Sequence, residues 1–307
     1  MADDKTHLIE KPTPLIRLYN SYESRIGYKL VLGETRHFGY YEEDTYWPFP
    51  FNGPLRAMED RLAAILNLKK DDHVLDAGSG AAKVAIHLAR KGLQVHGVDL
   101  VDHHLEKARL NIAAAGLEDR IHVQSGNYQQ LEGIINTASM DGVYSMETVV
   151  HATDPRKAFR EFYRVLKPGG RLAMFEYDHV GKLGQSSQIV APLEEFNKYA
   201  SMPGCEMFAP GVIEDMLAEA GFVDIEVRDW SDNIRPMLRF FYVLAFFPYL
   251  VISALGLKHH FSNAVGAVLG WRAFKKRLWR FVVVSARKPD VEERSSLGTL
   301  QRYAAHC

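Results

Sequence analysis

The fold class is decided by the stretch VLDAGSGAAK, residues 74–83. Its first half is short and apolar, which predicts a buried strand over His73–Asp76. Its glycines predict a sharp turn in which the backbone can approach a ligand that a Cβ atom would block. A helical pattern follows over Ala81–Lys91 and stops at Gly92. The stretch therefore predicts a strand, a glycine turn and a helix in succession.

The same alternation continues along the chain. Short apolar runs rich in β-branched residues predict further strands at 94–99, 121–125, 141–146, 171–177, 222–229 and 281–286. Helical patterns separate several of them, at 102–115, 154–166 and 212–220. Such alternation predicts an α/β fold, a doubly wound and mostly parallel sheet between two helical layers. Ligands in such sheets bind at the carboxyl ends of the strands.

The glycine turn discriminates between cofactors. The nicotinamide and flavin pattern G-x-G-x-x-G fails, because its third glycine would fall on Lys83. The pattern D-x-G-x-G fits, and a second acid, Asp99, ends the next predicted strand, where a carboxylate suits a ribose diol. Asp76 is placed to reach the ammonium of an amino acid. Adenosine joined to an amino acid is S-adenosylmethionine, which we expect to contact Asp76, Gly78, Ser79, Gly80, Asp99 and Leu100.

Two later loops add candidate residues. After the third predicted strand, the Asn127 amide can accept from the adenine amino group, and the Tyr128 ring can cover the base. The alternative is a plain surface turn. The fourth predicted strand ends at Met146, which we also expect to contact the cofactor. Glu147 and His151 follow this strand and are expected at the edge of the cofactor site.

Four stretches carry a resemblance to a known family: VLDAGSGAAK at 74–83, VYSMETVVHATD at 143–154, FYRVLKPGGRLAMFEY at 162–177 and SARKP at 285–289. The sequence resembles the class I S-adenosylmethionine-dependent methyltransferases, and more narrowly the sterol 24-C-methyltransferase group, in which the spacing Glu147-x-x-x-His151 recurs. The resemblance implies a Rossmann-like fold with a seven-stranded sheet. It covers roughly residues 70–230.

The sequence departs from that group at three points. The third glycine of the cofactor loop is Ala82, and the usual acid after the third strand is Asn127. The N-terminal aromatic signature of the sterol enzymes is replaced by ETRHFGYY at 34–41. The substrate therefore need not be a sterol.

Aromatic residues cluster outside the predicted cofactor core, with ten between Tyr19 and Phe51 and twelve between Trp230 and Phe281. Any one of these rings is more often simple packing, but the two clusters together predict a cap over a lipophilic pocket. We expect His37, Tyr40, Tyr41 and Phe241 to face the substrate. The predicted organisation is a helical and aromatic cap at 1–68, a cofactor core at 69–230, an apolar helical insertion at 231–279, a last core strand at 280–288 and a polar tail at 289–307.

The resemblance favours methyl transfer to a carbon atom of a lipophilic small molecule. Attack by an alkene leaves a carbocation, so a base must then remove a proton. His151 is the first candidate, because neutral imidazole titrates near working pH, and Glu147 either serves as base or orients His151. Two alternatives remain: an O- or N-methyltransferase of a natural-product pathway, and a membrane-surface binding protein with a degenerate form of the fold.

Composition narrows the partners and the compartment. Lys and Arg number 37 against 38 Asp and Glu, so no overall positive charge indicates nucleic acid. Two cysteines, Cys205 and Cys307, fit a reducing compartment, and the N-terminus lacks a targeting pattern, which predicts a cytoplasmic protein. The pairs His103-His104 and His259-His260 lack further ligand spacing, so no metal is expected. The sequence leaves the oligomeric state open.

One apolar segment is unusual for a soluble protein. Residues 240–257 carry no charge over a length at which a membrane span becomes possible, although Pro248 and Gly256 interrupt the segment. The region 271–288 carries seven basic residues and no acid. The apolar segment predicts a buried or membrane-surface helix pair rather than a membrane span, and the basic region beside it is suited to peripheral contact with anionic lipid headgroups. A solvated helix face and a phosphate-bearing isoprenoid substrate are the alternatives for the basic region.

Overall fold

The structure is a computed structural model that describes residues 13–20, 32–180 and 187–293. Cys307 and most of the predicted polar tail lie outside the described residues. The strands are β1 His73–Ala77, β2 Gln94–Asp99, β3 Ile121–Ser125, β4 Met140–Met146, β5 Leu166–His179, β6 Val223–Asp229 and β7 Trp279–Arg287. The helices are α1 Thr13–Asn20, α2 Asn52–Leu66, α3 Lys83–Arg90, α4 Asp102–Ala115, α5 Pro155–Val165, α6 Ser187–Ala200, α7 Val212–Ala220, α8 Ser231–Ala254 and α9 Ser262–Lys275.

The strands form one sheet in the order β3-β2-β1-β4-β5-β7-β6. β1 to β5 pair in parallel, whereas β7 runs antiparallel to both β5 and β6. β1 is buried from Val74 to Ala77 because helices cover both faces of the sheet. The predicted doubly wound, Rossmann-like sheet of seven strands is confirmed. Its strand order reverses between β1 and β4, which is where a ligand site is expected.

The fifth strand is longer than the sequence predicts. The Lys-Pro-Gly-Gly turn at 167–170 was expected to precede it, yet β5 begins at Leu166, whose partner in β4 is Met140. The next paired residue is Arg171, opposite Gly142, so the turn is an irregularity within the strand. At the other end β5 continues to His179, because β7 pairs with it along its length.

The apolar segment lies in a single helix. α8 spans 24 residues and contains Pro236 and Pro248, so Pro248, although it interrupts the apolar segment of the sequence, does not end the helix. Gly256 follows with a φ of 67°, a left-handed conformation that suits a helix end. α8 packs against α9 through a small apolar cluster formed by Ala245, Tyr249, Ile252, Val265, Val268 and Leu269. By length and composition α8 could cross a membrane, and 22% of its most apolar window is buried.

The N-terminal segment packs against the same helix. Tyr41 donates its backbone N–H to the carbonyl of Asn233 at 2.9 Å, and the Asn233 amide donates back to the Tyr41 carbonyl at 2.8 Å. Leu32, Tyr41, Leu55 and Met237 form a buried cluster at this junction. Aromatic segments from both ends of the chain therefore meet on one side of the core.

Candidate active site

A pocket lies at the carboxyl ends of β1, β2 and β4, where the strand order reverses. It gathers most of the residues that the sequence singles out. The predicted residues that line it are His37, Asp76, Gly78, Ser79, Gly80, Asp99, Leu100, Tyr128, Met146, Glu147 and His151. Segments that are distant in sequence, Leu15 and Tyr19 of α1 and residues 34–37, also line it.

Glycine is required in the turn after β1. Gly78 has a φ of 102°, and a Cβ atom placed on it would lie 2.6 Å from Cγ2 of Thr148. Gly80 has a φ of 51° and donates its N–H to Oδ2 of Asp99 at 2.8 Å. Since both conformations are left-handed, glycine adopts them without the strain that a side chain brings. The turn thus joins the ends of β1 and β2 across the pocket floor.

Asp99 is held as an ionised acceptor. Burial alone would raise its pKa, but the charge of nearby His104 and the N–H groups of Val101 and Gly80 bring the pKa below its ordinary value. Val101 donates to Oδ1 at 2.8 Å, and His104 Nδ1 lies 3.3 Å from the same oxygen. A carboxylate fixed in this way suits the hydroxyl donors of a ribose.

Asp76 offers an unused acceptor. Its side chain is buried, and neither its Oδ2 atom nor the Ser79 hydroxyl forms a hydrogen bond of normal geometry with a described residue, although the Tyr144 phenol lies near the carboxyl group. Burial raises the pKa of Asp76 to about 7, opposed by the nearby Tyr144 phenol and assisted by the charge of Asp99. Buried polar atoms in folded proteins almost always have partners. An ammonium group would supply the missing charge and donors, so the site fits the amino-acid end of S-adenosylmethionine.

Asn127 and Tyr128 differ in placement. Asn127 does not line the pocket, because its side-chain oxygen accepts from the backbone N–H of Gln129 at 2.9 Å and stabilises the turn. Gln129 lines the pocket instead. Tyr128 lines it as expected and donates its hydroxyl to the Thr148 carbonyl at 2.7 Å. The adenine contact predicted for Asn127 is not supported by this arrangement.

Glu147 stands where the pocket meets a second cavity. Its φ of 58° is unusual for a residue with a side chain, and such strain often marks functional positions. Oε1 accepts from the Phe38 N–H at 2.7 Å, and Oε2 accepts from the Tyr177 hydroxyl. Burial raises the pKa of Glu147 to about 7 although these bonds and His37 oppose the shift. Both carboxylate oxygens are therefore already occupied by protein donors.

His151 is oriented from both sides. Its Nδ1 lies 2.8 Å from the Ser201 carbonyl, which can only accept, so Nδ1 carries the proton of the neutral ring. Nε2 then accepts from the Tyr19 hydroxyl at 3.0 Å. Burial lowers the pKa of His151, which keeps the ring neutral near pH 7. The partner Tyr19 comes from α1 and lies outside any motif, so sequence reasoning missed it.

Glu176 was also missed. It lies on β5, behind the loop that carries Glu147 and His151, and its side chain is buried. The Ser145 hydroxyl donates to it at 2.5 Å, and backbone N–H groups of the short 3-10 helix that begins at Val149 donate at 2.9–3.2 Å. Burial raises the pKa of Glu176 to about 7, against these hydrogen bonds. Its position within the motif FYRVLKPGGRLAMFEY was the one available signal.

An apolar cleft of about 430 Å³ continues from the cofactor pocket. Tyr19, Arg36, His37, Glu147 and His151 line both cavities and form the junction. Beyond it the walls are apolar and aromatic, including Phe38, Tyr177, Phe196, Leu238, Phe241 and Trp279. A lipophilic molecule in this cleft would lie beside the reactive end of the cofactor.

Only two of the four predicted substrate residues lie in this cleft. His37 and Phe241 line it, whereas Tyr40 and Tyr41 do not. Tyr40 packs edge-on against Trp230 and lies under the Arg61 guanidinium. Tyr41 is buried and donates its hydroxyl to the Pro48 carbonyl at 2.9 Å. Both tyrosines stabilise the N-terminal segment instead.

The seven basic residues of region 271–288 do not form one continuous surface. Arg280 pairs with Asp178, Arg287 pairs with Asp224 and Glu293, and buried Lys288 donates to backbone carbonyls. The exposed basic residues are confined to the end of α9 and the turn after it: Arg272, Lys275, Lys276 and Arg277.

Within the described residues, no group of three or more His, Cys, Asp or Glu could hold a metal ion.

Several known proteins are similar to this chain in sequence or in fold. The methyltransferase domain profile matches residues 75–174. An S-adenosyl-L-methionine-dependent Diels-Alderase of Talaromyces variabilis is 42% identical over 88% of this chain and 93% of its own length. A second Diels-Alderase so described, from Neonectria sp. (strain DH2), is 39% identical over 68% of this chain and 82% of its own length. The crystal structure of a 4+2 cyclase superposes with a TM-score of 0.70 at 21% identity, over 92% of this chain and 99% of that one.

These likenesses correct one expectation. The narrow resemblance to sterol 24-C-methyltransferases is not supported, because the strongest likenesses reported above are to Diels-Alderases. The cofactor expectation is confirmed: the pocket and the relatives both indicate S-adenosylmethionine. This chain belongs to the family of class I S-adenosylmethionine-dependent methyltransferases.

Proposed function

We propose that this protein catalyses a Diels-Alder cycloaddition within a lipophilic substrate that carries a conjugated diene and an alkene, with S-adenosylmethionine bound but not consumed. The observation that carries the proposal is the apolar cleft joined to the cofactor pocket at Glu147 and His151. The similarity to Diels-Alderases at 42% and 39% identity supports it.

The cleft suits a reaction that depends on alignment. Two carbon–carbon bonds form from π electrons of the substrate, and no proton or leaving group departs. Catalysis then consists of holding diene and alkene in contact, an effect worth about 7–11 kcal/mol when the geometry is ideal. Aromatic walls such as Tyr177 and Trp279, which meet edge-on at 5.2 Å, would hold the folded substrate and exclude water. Bound S-adenosylmethionine would supply a fixed positive charge beside the reacting atoms.

The two candidate bases also favour a reaction without proton transfer. Glu147 has both oxygens engaged by Phe38 and Tyr177, and His151 Nε2 accepts from Tyr19. A base for carbon methylation would first have to break one of these bonds. In the proposed reaction the same residues need only keep the junction in shape.

Methyl transfer to a lipophilic acceptor is the second candidate function. It is favoured by Glu147, which lines both cavities and whose pKa of about 7 suits a base working near neutral pH. The acceptor atom, carbon, oxygen or nitrogen, is not distinguished by the geometry. A binding protein with a degenerate fold is disfavoured by the complete cofactor pocket around Asp76 and Asp99.

One experiment separates these functions. The full-length protein is incubated with methyl-labelled S-adenosylmethionine and a lipophilic cell extract, and products are followed by mass spectrometry together with S-adenosylhomocysteine release. We expect an isomer of unchanged mass that has lost diene absorbance, formed only when the cofactor is present and without release of S-adenosylhomocysteine. Label in the product, with equimolar S-adenosylhomocysteine, would overturn cycloaddition in favour of methyl transfer.

The cleft implies a route of entry for such a substrate. We propose in addition that the protein makes peripheral contact with a membrane, from which a lipophilic molecule is supplied.

A further inference from the structure

One side of α8 is apolar and exposed. The exposed side chains are Val243, Leu244, Phe247, Leu250, Val251 and Leu255. Steps of three and four residues place them on the same side of the helix. Phe247 is 73% exposed, the highest value among the large apolar side chains described. Contiguous exposed apolar patches are uncommon on monomeric soluble proteins and mark interaction sites.

The aromatic loop 46–49 extends this surface. Tyr46, Trp47 and Phe49 are exposed, and Trp47 is 71% exposed. The Phe49 ring packs edge-on against Phe240 at 5.0 Å, one turn before Val243. The Arg239 guanidinium lies 3.8 Å above the Tyr46 ring. We call this loop and the exposed side of α8 together the apolar face. Tyr and Trp are enriched at membrane interfaces, where one end of the side chain is apolar and the other polar.

Charge distinguishes between possible occupants of the apolar face. Between Asn233 and Arg280 every charged side chain is a lysine or an arginine. Arg272, Lys275, Lys276 and Arg277 are exposed, and no described carboxylate forms an ion pair with them. An anionic lipid surface attracts this positive charge. A second copy of the same helical pair would bring like charges together, although an acidic turn at 42–44 adjoins the loop.

The apolar cleft opens on the apolar face. Leu244 and Pro248 are exposed on α8, and both also line the cleft. The opposite side of α8 is packed, with Tyr249 and Ile252 buried against α9. The helix therefore cannot be surrounded by lipid, but it can lie in the plane of a membrane surface.

We propose that the apolar face docks on an anionic membrane surface, so that the cleft opens toward the bilayer. The bilayer then contacts Phe247 and Trp47, while the basic end of α9 meets the headgroups. The proposal that the protein docks on a membrane depends only on the exposure and charge of the apolar face and of the end of α9. The passage of substrate from bilayer to cleft rests on the proposed function.

Vesicle sedimentation of the full-length protein tests the docking. The vesicles contain phosphatidylcholine with or without phosphatidylserine. We expect binding to the anionic vesicles that weakens as salt is raised, because salt screens the basic residues. The variant Phe247→Glu should lower the partition coefficient by about tenfold or more. The matched control is Leu110→Glu on α4: Leu110 is 71% exposed, and α4 packs at the opposite edge of the sheet.

The charge contribution is tested separately. The double variant Lys276→Glu, Arg277→Glu should remove the preference for phosphatidylserine and leave the weaker binding to phosphatidylcholine. Binding of S-adenosylmethionine by each variant verifies that it is folded. Vesicle binding needs no substrate, so its result is independent of the cyclisation assay. Failure of the docking proposal and failure of the proposed function can therefore be told apart.

Two results would overturn the docking proposal. Equal vesicle binding by wild type, Phe247→Glu and Leu110→Glu would show that the apolar face does not touch lipid. A wild-type dimer that Phe247→Glu converts to a monomer in light scattering, without vesicle binding by either, would assign the apolar face to a second copy of the chain.

Discussion

Asp76 and Asp99 lie near the ends of adjacent strands and line the same pocket, but the pKa values of their carboxyl groups are shifted in opposite directions. Burial raises the pKa of Asp76 to about 7, whereas His104 and backbone N–H groups overcome burial and lower the pKa of Asp99. The difference follows from the number of donors: two backbone N–H groups and the His104 ring act on Asp99, whereas the Tyr144 phenol alone opposes the effect of burial on Asp76. In the protein without cofactor, Asp76 is therefore partly protonated near pH 7, and a bound cation would favour its ionised form.

This difference predicts a pH dependence of cofactor binding. An ammonium binds ionised Asp76, so binding must release the proton that Asp76 holds below pH 7. Affinity for S-adenosylmethionine should therefore fall, by up to about tenfold per pH unit, as the pH decreases from about 7 to about 5.5. Isothermal titration calorimetry at a series of pH values measures the dissociation constant of S-adenosylmethionine. The variant Asp76→Asn should bind more weakly at pH 7 and show a flat profile, and identical slopes for both proteins would contradict the assignment.

At the scale of elements, the loop from Glu147 to His151 depends on a strand that it does not belong to. The backbone N–H groups of Thr148, Val149 and Val150 all donate to Glu176 of β5. A short 3-10 helix has few internal hydrogen bonds, so an outside acceptor is needed to satisfy its first donors. Glu176 is thus a positioning residue for His151.

Removing that acceptor should disorder the loop. We expect Glu176→Ala to lower the free energy of unfolding by about 3 kcal/mol or more, since several buried donors lose their partner. Glu176→Gln, which keeps one acceptor oxygen, should lose less. Denaturant unfolding measures the energy, and hydrogen exchange at residues 148–151 should speed up in Glu176→Ala. Glu132→Ala, at an exposed site, is the control, and an equal loss in that variant would refute the role of Glu176.

At the scale of the whole molecule, three of the buried carboxyl groups in or behind the pocket hold their protons more tightly than usual. Asp76, Glu147 and Glu176 each have a pKa raised to about 7 by burial. The folded protein therefore holds protons that the unfolded chain, with ordinary carboxyl pKa values near 4, has released. Stability contributed in this way is fully present below the unfolded-state pKa near 4 and is lost as the pH rises through the folded-state pKa of about 7.

The cofactor-free protein should therefore melt at a higher temperature at about pH 6.5 than at about pH 8. Below about pH 6.5 the rise should become shallower, because burial lowers the pKa values of His96 and His151, and the protons that the unfolded chain binds at these two groups offset part of those that the three carboxyl groups hold in the folded protein. Scanning calorimetry across this range measures the melting temperature. A melting temperature that falls steadily from pH 8 to pH 6.5 would contradict the raised carboxyl pKa values.

Much of the cofactor core could be predicted from local sequence. The strand at 94–99, the glycine turn and the spacing from Gly80 to Asp99 each depend on residues close together in the chain, and the structure places them as expected. The extension of β5 to His179 was not predictable in the same way, because it depends on pairing with β7, about a hundred residues away in the chain. Prediction was thus reliable where neighbours in sequence are also neighbours in space.

The doubly wound sheet, the glycine turn and the two acids that line the pocket, Asp76 and Asp99, followed from local sequence patterns. Which side chains lie at the junction between the two cavities depends on how distant segments pack together. The tertiary structure brought Tyr19 to His151, Phe38 to Glu147 and Gln129 rather than Asn127 to the pocket. The physical reason is that strand and turn patterns follow from the local backbone, whereas a side chain's partner depends on the packing of distant segments.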